Sequence, residues 1–300
     1  MSFPNFIIAG FPKCGTTSLH YYLSEHPEIY MPKQKELHFF TNKILSKQIA
    51  GKGDEITAQT HINRLEDYQK FFPNNDKYKA VGEASPSYIN YPEIYNEIKT
   101  QLSNPKIIIL IRDPINRAYS NYLHLKREGR ETLSFQEALD REQNRKNIEY
   151  SDFWYYKFNS SYYEKIKEIK NVFDKVLILT QEELIVSPKE TIKTAYSFLS
   201  VDNKFLPKIL SRKYNPGGNY RNNIITRTIF KPSKTKNILK KAISIKPWMK
   251  DVLNWITKQY KNPTDPIDSK TIKKLKNYFK KDVELIESIG VDVSLWRRYK

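Results

Sequence analysis

Between Gly10 and Gly15 the chain reads Gly-Phe-Pro-Lys-Cys-Gly, a GxxxxG frame followed at once by Thr16, Thr17 and Ser18. A glycine-framed turn that runs into a helix leaves backbone N–H groups without intrahelical acceptors. It also presents the positive end of the helix dipole, and the two together hold a phosphate-like anion. Lys13 adds a positive charge within the turn, and the three hydroxyls after Gly15 add donors. A magnesium-dependent triphosphatase loop needs lysine directly after the second glycine and then Ser or Thr for the metal. Here Thr16 takes that place and the lysine is displaced to position 13. The spacing points to anion binding and away from metal-assisted ATP chemistry. An ordinary strand-to-helix turn with a surface lysine would carry the same residues, so this loop alone leaves both readings open.

A second candidate anion contact lies much later in the chain. Arg112 closes the apolar run Lys106–Ile111, Asp113 and Pro114 follow, and Ser120 falls about two turns into the helix that Pro114 would begin. A guanidinium offers paired donors to a phosphate. The competing reading is a local Arg112–Asp113 ion pair with Asp113 as helix cap, and the two are compatible.

Both groups need a scaffold that brings strand ends together. Asn5–Gly10 reads as a strand, then a loop, then a helix from Thr16 to Glu25 with Leu19, Tyr22 and Leu23 at helical spacing. Lys106–Ile111 is a second buried strand with a helix to about Arg127. Ala80–Gly82 is a short strand, and Lys175–Thr180 a longer one after a helix over Ser161–Phe173. Strands alternating with helices predict the α/β class: a single doubly wound domain over residues 1–300, with a central parallel sheet and a P-loop-like site at its carboxyl edge. Residues 41–68 are polar and carry Gly51, Lys52 and Gly53, which predicts a surface excursion or an irregular helical insert, the most mobile part of the chain. Asn215-Pro-Gly-Gly-Asn219 reads as a loop and Ser269–Ser288 as a helix.

Three hundred residues, 39% hydrophobic and 13% aromatic, suffice for a substantial core. The longest purely apolar stretch, Ile107–Ile111, falls far short of the roughly 18 residues that span a bilayer, and no signal-like segment precedes Phe6. No transmembrane segment and a cytoplasmic location are expected. Cys14 is the only cysteine, which excludes an intrachain disulfide and a cysteine-based zinc site; no metal is expected. A helix N-terminus would lower the Cys14 pKa, but with no partner thiol or base the residue reads as a small side chain that fits the turn. Of the net charge of +18, residues 201–300 carry +16, with 24 Lys+Arg against 8 Asp+Glu. Such asymmetry suits an anionic partner, or else lysine-rich solvated helix faces. It also supports a nucleic-acid-binding module with Trp248, Trp255, Tyr260 and Tyr278 interleaved, although no reader motif accompanies them and no nucleic acid is expected. A P-loop kinase is the other alternative, weakened by the missing lysine after Gly15. The aromatic run Phe153–Tyr156 reads as packing under a loop.

Taken together, Phe11–Leu19 resembles the 5′-phosphosulfate loop of the sulfotransferase family, and Ile108–Ser120 resembles its 3′-phosphate motif. Pro32–Phe40 is similar to the Lys-Glu-Pro-His-Phe-Phe segment of bacterial and heparan-modifying carbohydrate sulfotransferases, with Leu37 where proline is usual. Gly82–Tyr88 and Ile289–Trp296 are further similar segments. The resemblance implies PAPS (3′-phosphoadenosine-5′-phosphosulfate) as sulfuryl donor and its desulfated product PAP. Lys13, Cys14, Gly15, Thr16, Thr17 and Ser18 would hold the 5′ end, and Arg112 and Ser120 the 3′-phosphate. Tyr162 would close over the donor, and Arg221 would belong to a late 3′-phosphate loop.

In-line sulfuryl transfer to a hydroxyl calls for one base and one cation. The resemblance puts the base at Glu36, in an apolar-flanked segment where desolvation is expected to raise its pKa; the plain alternative is a surface pair with Lys33 or Lys35. Lys13 would stabilise the leaving oxygen. His38, Glu83 and Ser87 are expected at the acceptor, with His38 as a structural residue and Glu83 as a salt-bridge partner the plain alternatives. The resemblance points to a hydroxyl acceptor on a carbohydrate or glycolipid, and the basic last third makes an anionic glycan attractive.

Overall fold

Uninterrupted apolar runs, rather than alternating ones, build the central strands, as expected where a sheet is covered on both faces. The computed structural model describes residues 3–73, 77–210 and 265–299, together with the backbone of 219–220 and 261–262. Strand β1 (Phe6–Gly10) is buried at every position and lies in the middle of a five-stranded sheet. The others are β2 (Ile29–Tyr30), β3 (Ala80–Ala84), β4 (Lys106–Ile111) and β5 (Val176–Thr180), in the order β2-β3-β1-β4-β5 with every pairing parallel. From β1 the chain winds first to one side and then to the other. Right-handed crossovers running in opposite directions put their helices on opposite faces, so this is the expected doubly wound α/β domain. The strand order reverses at β1, between β3 and β4, and in open α/β sheets ligands sit outside the carboxyl ends at that point.

Side-chain caps start some of the helices, and the others begin without one. Helix α1 (Thr16–Ser24) follows β1. Helix α2 (Pro114–Arg127) follows β4; Asp113 Oδ1 accepts from the Asn116 amide at 2.8 Å and Pro114 starts the first turn. Helix α3 (Tyr163–Val172) precedes β5, and α4 (Gln181–Val186) follows it through a capping box between Thr180 and Glu183. Helix α5 (Pro188–Leu199) then packs back on the sheet. The last described helix, α6 (Ser269–Ser288), buries Leu275, Phe279, Val283 and Ile286 along one stripe. Its Asp282 accepts from the Tyr162 and Tyr163 amides at 2.8 and 2.9 Å, which closes the N-terminus of α3. Among the described residues no helix is long and apolar enough to cross a membrane.

Two elements differ from expectation. β2 is only two residues long, too short for periodicity to reveal. The 41–68 segment takes the irregular helical form, with short helices at Asn42–Leu45, Asp54–Ala58 and Leu65–Gln69, and it is anchored rather than loose. Asp54 is buried, paired with Arg130, and also accepts from the Ser151 amide at 3.0 Å, Ser151 Oγ at 2.8 Å and Trp154 Nε1 at 3.0 Å. Truncating one partner of a buried pair strands the other charge. Asp54→Ala is therefore expected to cost about 3 kcal/mol, read as a lower urea midpoint at unchanged slope. The Phe153–Tyr156 run packs as expected, with Trp154 and Tyr156 buried.

Candidate active site

Each side chain singled out in the sequence among the described residues comes from, or just after, the carboxyl end of a strand, or from a helix next to one. After β1, Lys13 and Gly15 both adopt left-handed backbone, at φ 70° and 95°. A side chain at Gly15 would be strained and would also crowd Gln181, whose Nε2 would lie 3.3 Å from an added Cβ. The turn is gripped from β4 and α2: Arg117 Nε donates to the Pro12 carbonyl at 3.0 Å and an Arg112 guanidinium nitrogen to the Lys13 carbonyl at 3.5 Å. Helix α1 carries no side-chain cap, and among the described residues the amides of Gly15, Thr16 and Thr17 find no acceptor. Neither Lys13 nor Arg112 has a carboxylate within 4 Å among the described residues. Unmet amides and two unpaired cations at one helix start fit an anionic ligand. Burial, helped by nearby Arg127, lowers the Lys13 pKa to about 8, against opposing pulls from Glu36 and Glu128.

Cys14 departs from expectation. Its thiol is fully buried, and desolvation pushes its pKa up to about 12, outweighing the positive surroundings that would lower it. It is a packing residue of the turn.

Opposite the loop, the stretch after β2 carries Lys35, Glu36 and His38. Lys35 Nζ donates to Thr17 Oγ1 at 2.8 Å and lies 3.6 Å from Glu36 Oε1, so one ammonium joins the anion loop to the candidate base. The Glu36 side chain is 53% exposed. Desolvation pushes its pKa up, but the positive surroundings, Lys35 first and then His38, His124 and Lys13, outweigh it and hold the carboxyl below its ordinary value. The expected elevation is therefore replaced by a depression, because the carboxylate stands in an open cleft lined with cations rather than in an apolar pocket. The surface pair with Lys35 occurs as well, within that cleft.

His38 Nδ1 is 2.9 Å from Ser87 Oγ, and its backbone N–H donates to Ser85 Oγ at 3.3 Å. Desolvation lowers the His38 pKa. Glu83 lies beneath these residues, fully buried, with its carboxylate accepting hydroxyl donors from Ser85 at 2.5 Å, Tyr88 at 2.8 Å and Tyr68. No cation pairs with it among the described residues, so it is neither the salt-bridge partner nor a solvent-facing group. It ties Ser85, and through Ser85 the His38 amide, to β3.

Arg112 follows β4 directly, and the half-buried Ser120 lies on α2. Asp113 caps the helix as expected, and its ion-pair partner is Arg298 at 3.7 Å, not Arg112. Tyr162 is fully buried, packs on Phe11 with ring centroids 4.7 Å apart, and donates through its hydroxyl to the Arg112 carbonyl at 2.8 Å. It thus supports Arg112 from below. Arg221, Trp248, Trp255 and the loop 215–218 lie outside the described residues.

The sequence named Lys35 only as a surface partner of Glu36 and did not single out Arg117, His61 or His124. Arg117 is fully buried, and besides Pro12 it donates to the Tyr156 carbonyl at 3.1 Å and to Asn121. An arginine on the otherwise apolar face of a helix, here beside Ile115 and Ala118, was the signal available for it. His124, near the end of α2, sits 3.2 Å from Glu128 and within electrostatic reach of Lys13. Its pKa falls to about 4, through burial first and Lys13 second.

Comparison with known proteins agrees with this geometry. Residues 4–204 match the sulfotransferase family. A sulfotransferase from Alicyclobacillus acidocaldarius superposes with a TM-score of 0.76 at 29% identity, covering 99% of this chain and 100% of that one. The membrane-associated sulfotransferase kil1 of Dictyostelium discoideum is 37% identical over 122 residues, which is 40% of this chain and 22% of that protein. The human heparan sulfate glucosamine 3-O-sulfotransferase 5 is 33% identical over 128 residues, 43% of this chain and 32% of that protein. The chain thus matches less than a third of the length of either of these two relatives. With a family match over most of its length and a five-stranded parallel sheet carrying an uncapped anion loop, the chain belongs to the sulfotransferase family.

Proposed function

We propose that the protein transfers a sulfuryl group from PAPS to a hydroxyl of a carbohydrate acceptor. The observation that carries this reading is the bridge made by Lys35, which bonds Thr17 of the anion loop and lies 3.6 Å from Glu36. Donor-end and acceptor-end groups are thereby joined within one cleft. In this reading the Gly15–Thr17 amides and the Thr16, Thr17 and Ser18 hydroxyls hold the 5′ end of the donor, with Cys14 packed inside the turn, and Arg112 with Ser120 receives the 3′-phosphate. Glu36, ionised at neutral pH, takes the acceptor hydroxyl proton as the oxygen attacks sulfur in line. Lys13, protonated below about pH 8, neutralises the charge that builds on the leaving phosphate oxygen. His38, held by Ser87, faces the acceptor side, while Glu83 orients the loop.

Family membership supports sulfuryl transfer over the kinase and nucleic-acid readings. The test is a thermal shift with PAP, expected to stabilise the protein, beside magnesium-ATP and RNA, expected not to. A screen with radiolabelled PAPS then identifies the acceptor. The heparan sulfate relative and the charge of +16 in residues 201–300 support an anionic glycan. Anionic oligosaccharides are therefore expected to outrun neutral ones at low salt, with the advantage shrinking as salt rises. Equal rates at low salt would remove the anionic-glycan proposal while leaving sulfuryl transfer intact.

A further inference from the structure

Glu36 and His38 both sit in left-handed backbone, at φ 58° and 53°, with one residue between them. Two such residues in three persist only where the surroundings hold them. On one side the hold comes from β3: the Glu36 amide donates to the Ala84 carbonyl at 2.8 Å, and the His38 amide to Ser85 Oγ. The other side is covered by the end of the 41–68 segment. The Ile62 amide donates to the Leu37 carbonyl at 2.9 Å. The Tyr68 ring stacks on Phe39 at 4.5 Å and 17°, and its hydroxyl reaches Glu83. Next to the Ile62 anchor, the His61 ring lies over His38, with centroids 4.4 Å apart and planes tilted by 39°. Its buried Nδ1 has no hydrogen-bond partner among the described residues, so the contact it makes is through the ring face.

We propose that His61 is a positioning residue of the acceptor site: its ring holds the His38 imidazole against Ser87 and so sets where the acceptor hydroxyl meets Glu36. The proposal rests on the reading of Glu36 as base and His38 as an acceptor-side group. Both rings suit a stacked pair, because burial lowers the pKa of each, that of His61 to about 3, so two neutral rings face each other without repulsion. The 41–68 segment then does more than cover the fold. Through His61 it also contributes a side chain that packs on His38.

The test compares His61→Ala with His61→Phe, which keeps a flat ring but no nitrogen, in the full chain with PAP bound. Imidazole ¹⁵N spectra report the His38 tautomer, with His38→Gln identifying its signals. In the parent and in His61→Phe, the His38 nitrogen shifts are expected to report one ring state hydrogen-bonded to Ser87 through Nδ1, and in His61→Ala a shifted mixture. With radiolabelled PAPS and an N-sulfated heparosan oligosaccharide as the probe acceptor, His61→Ala is expected to lower kcat/KM for the acceptor roughly tenfold or more, since small misplacements at a reacting centre carry such losses. The KM for PAPS and the PAP-induced thermal shift stay within about twofold, and His61→Phe recovers most of the loss. Unchanged His38 nitrogen shifts in His61→Ala would overturn the proposal. So would a loss in His61→Ala matched by an equal loss of PAP binding and melting temperature and not rescued by phenylalanine. A parent protein that turned over no PAPS would instead count against the proposed function, and the spectra would still decide the role of His61.

Discussion

Replacing Lys13 with alanine is expected to lower sulfuryl transfer by about 10² to 10³ while leaving the fold intact and PAP bound. Lys13 has no ion-pair partner among the described residues, so its removal breaks no ion pair. What is lost is a fixed positive charge beside the leaving oxygen, a charge that matters more in the transition state than in the bound donor. The pH dependence gives a second readout. Because burial lowers the Lys13 pKa to about 8, the free enzyme loses this charge as pH rises through that value, and kcat/KM falls with it. An anionic donor beside the ammonium favours the protonated form, so the corresponding limb in kcat moves to higher pH. Lys13→Arg keeps its charge across the whole range but misplaces it, so the alkaline limb disappears although the rate stays low. Turnover by Lys13→Ala within threefold of the parent would remove the role.

The candidate anion loop was more legible in the sequence than the residues opposite it, for physical reasons. Gly10–Gly15 and Arg112–Pro114 are local signals: the loop glycines, the lysine, the cap and the proline all act within a few residues of one another, so their spacing can be read directly. The buried strands β1 and β4 announce themselves as apolar runs in the same way, and α6 by its stripe of Leu275, Phe279, Val283 and Ile286. The part opposite the loop is assembled from contacts distant in sequence: His38 with Ser87, Lys35 with Thr17, His61 with His38 and Tyr68 with Glu83. No periodicity reports such meetings. The polar composition of 41–68 suggested a loose excursion because the buried roles of Asp54 and Tyr68 depend on partners elsewhere in the chain. The two misjudged pKa directions have one origin. At Cys14 a local helix-dipole argument was overridden by complete burial, and at Glu36 a desolvation argument was overridden by cations that the fold gathers.

Those gathered cations decide the second large effect. Glu36→Gln is expected to keep PAP binding and to lower turnover by about 10² to 10⁴, the usual contribution of a positioned base. Glutamine preserves volume and the geometry next to Lys35, so the loss isolates the proton acceptor rather than the shape of the cleft. A carboxyl held below its ordinary value of about 4.3 is fully ionised throughout the neutral range. The acid limb of kcat/KM therefore lies below that value, and activity does not begin to fall as pH drops from 8 to about 5.5. A depressed pKa also makes Glu36 a weaker base than a carboxylate in an apolar pocket. An acid limb between about pH 5 and 7 that survives Glu36→Gln would instead assign proton abstraction to an imidazole, and His38 would be the one to replace next.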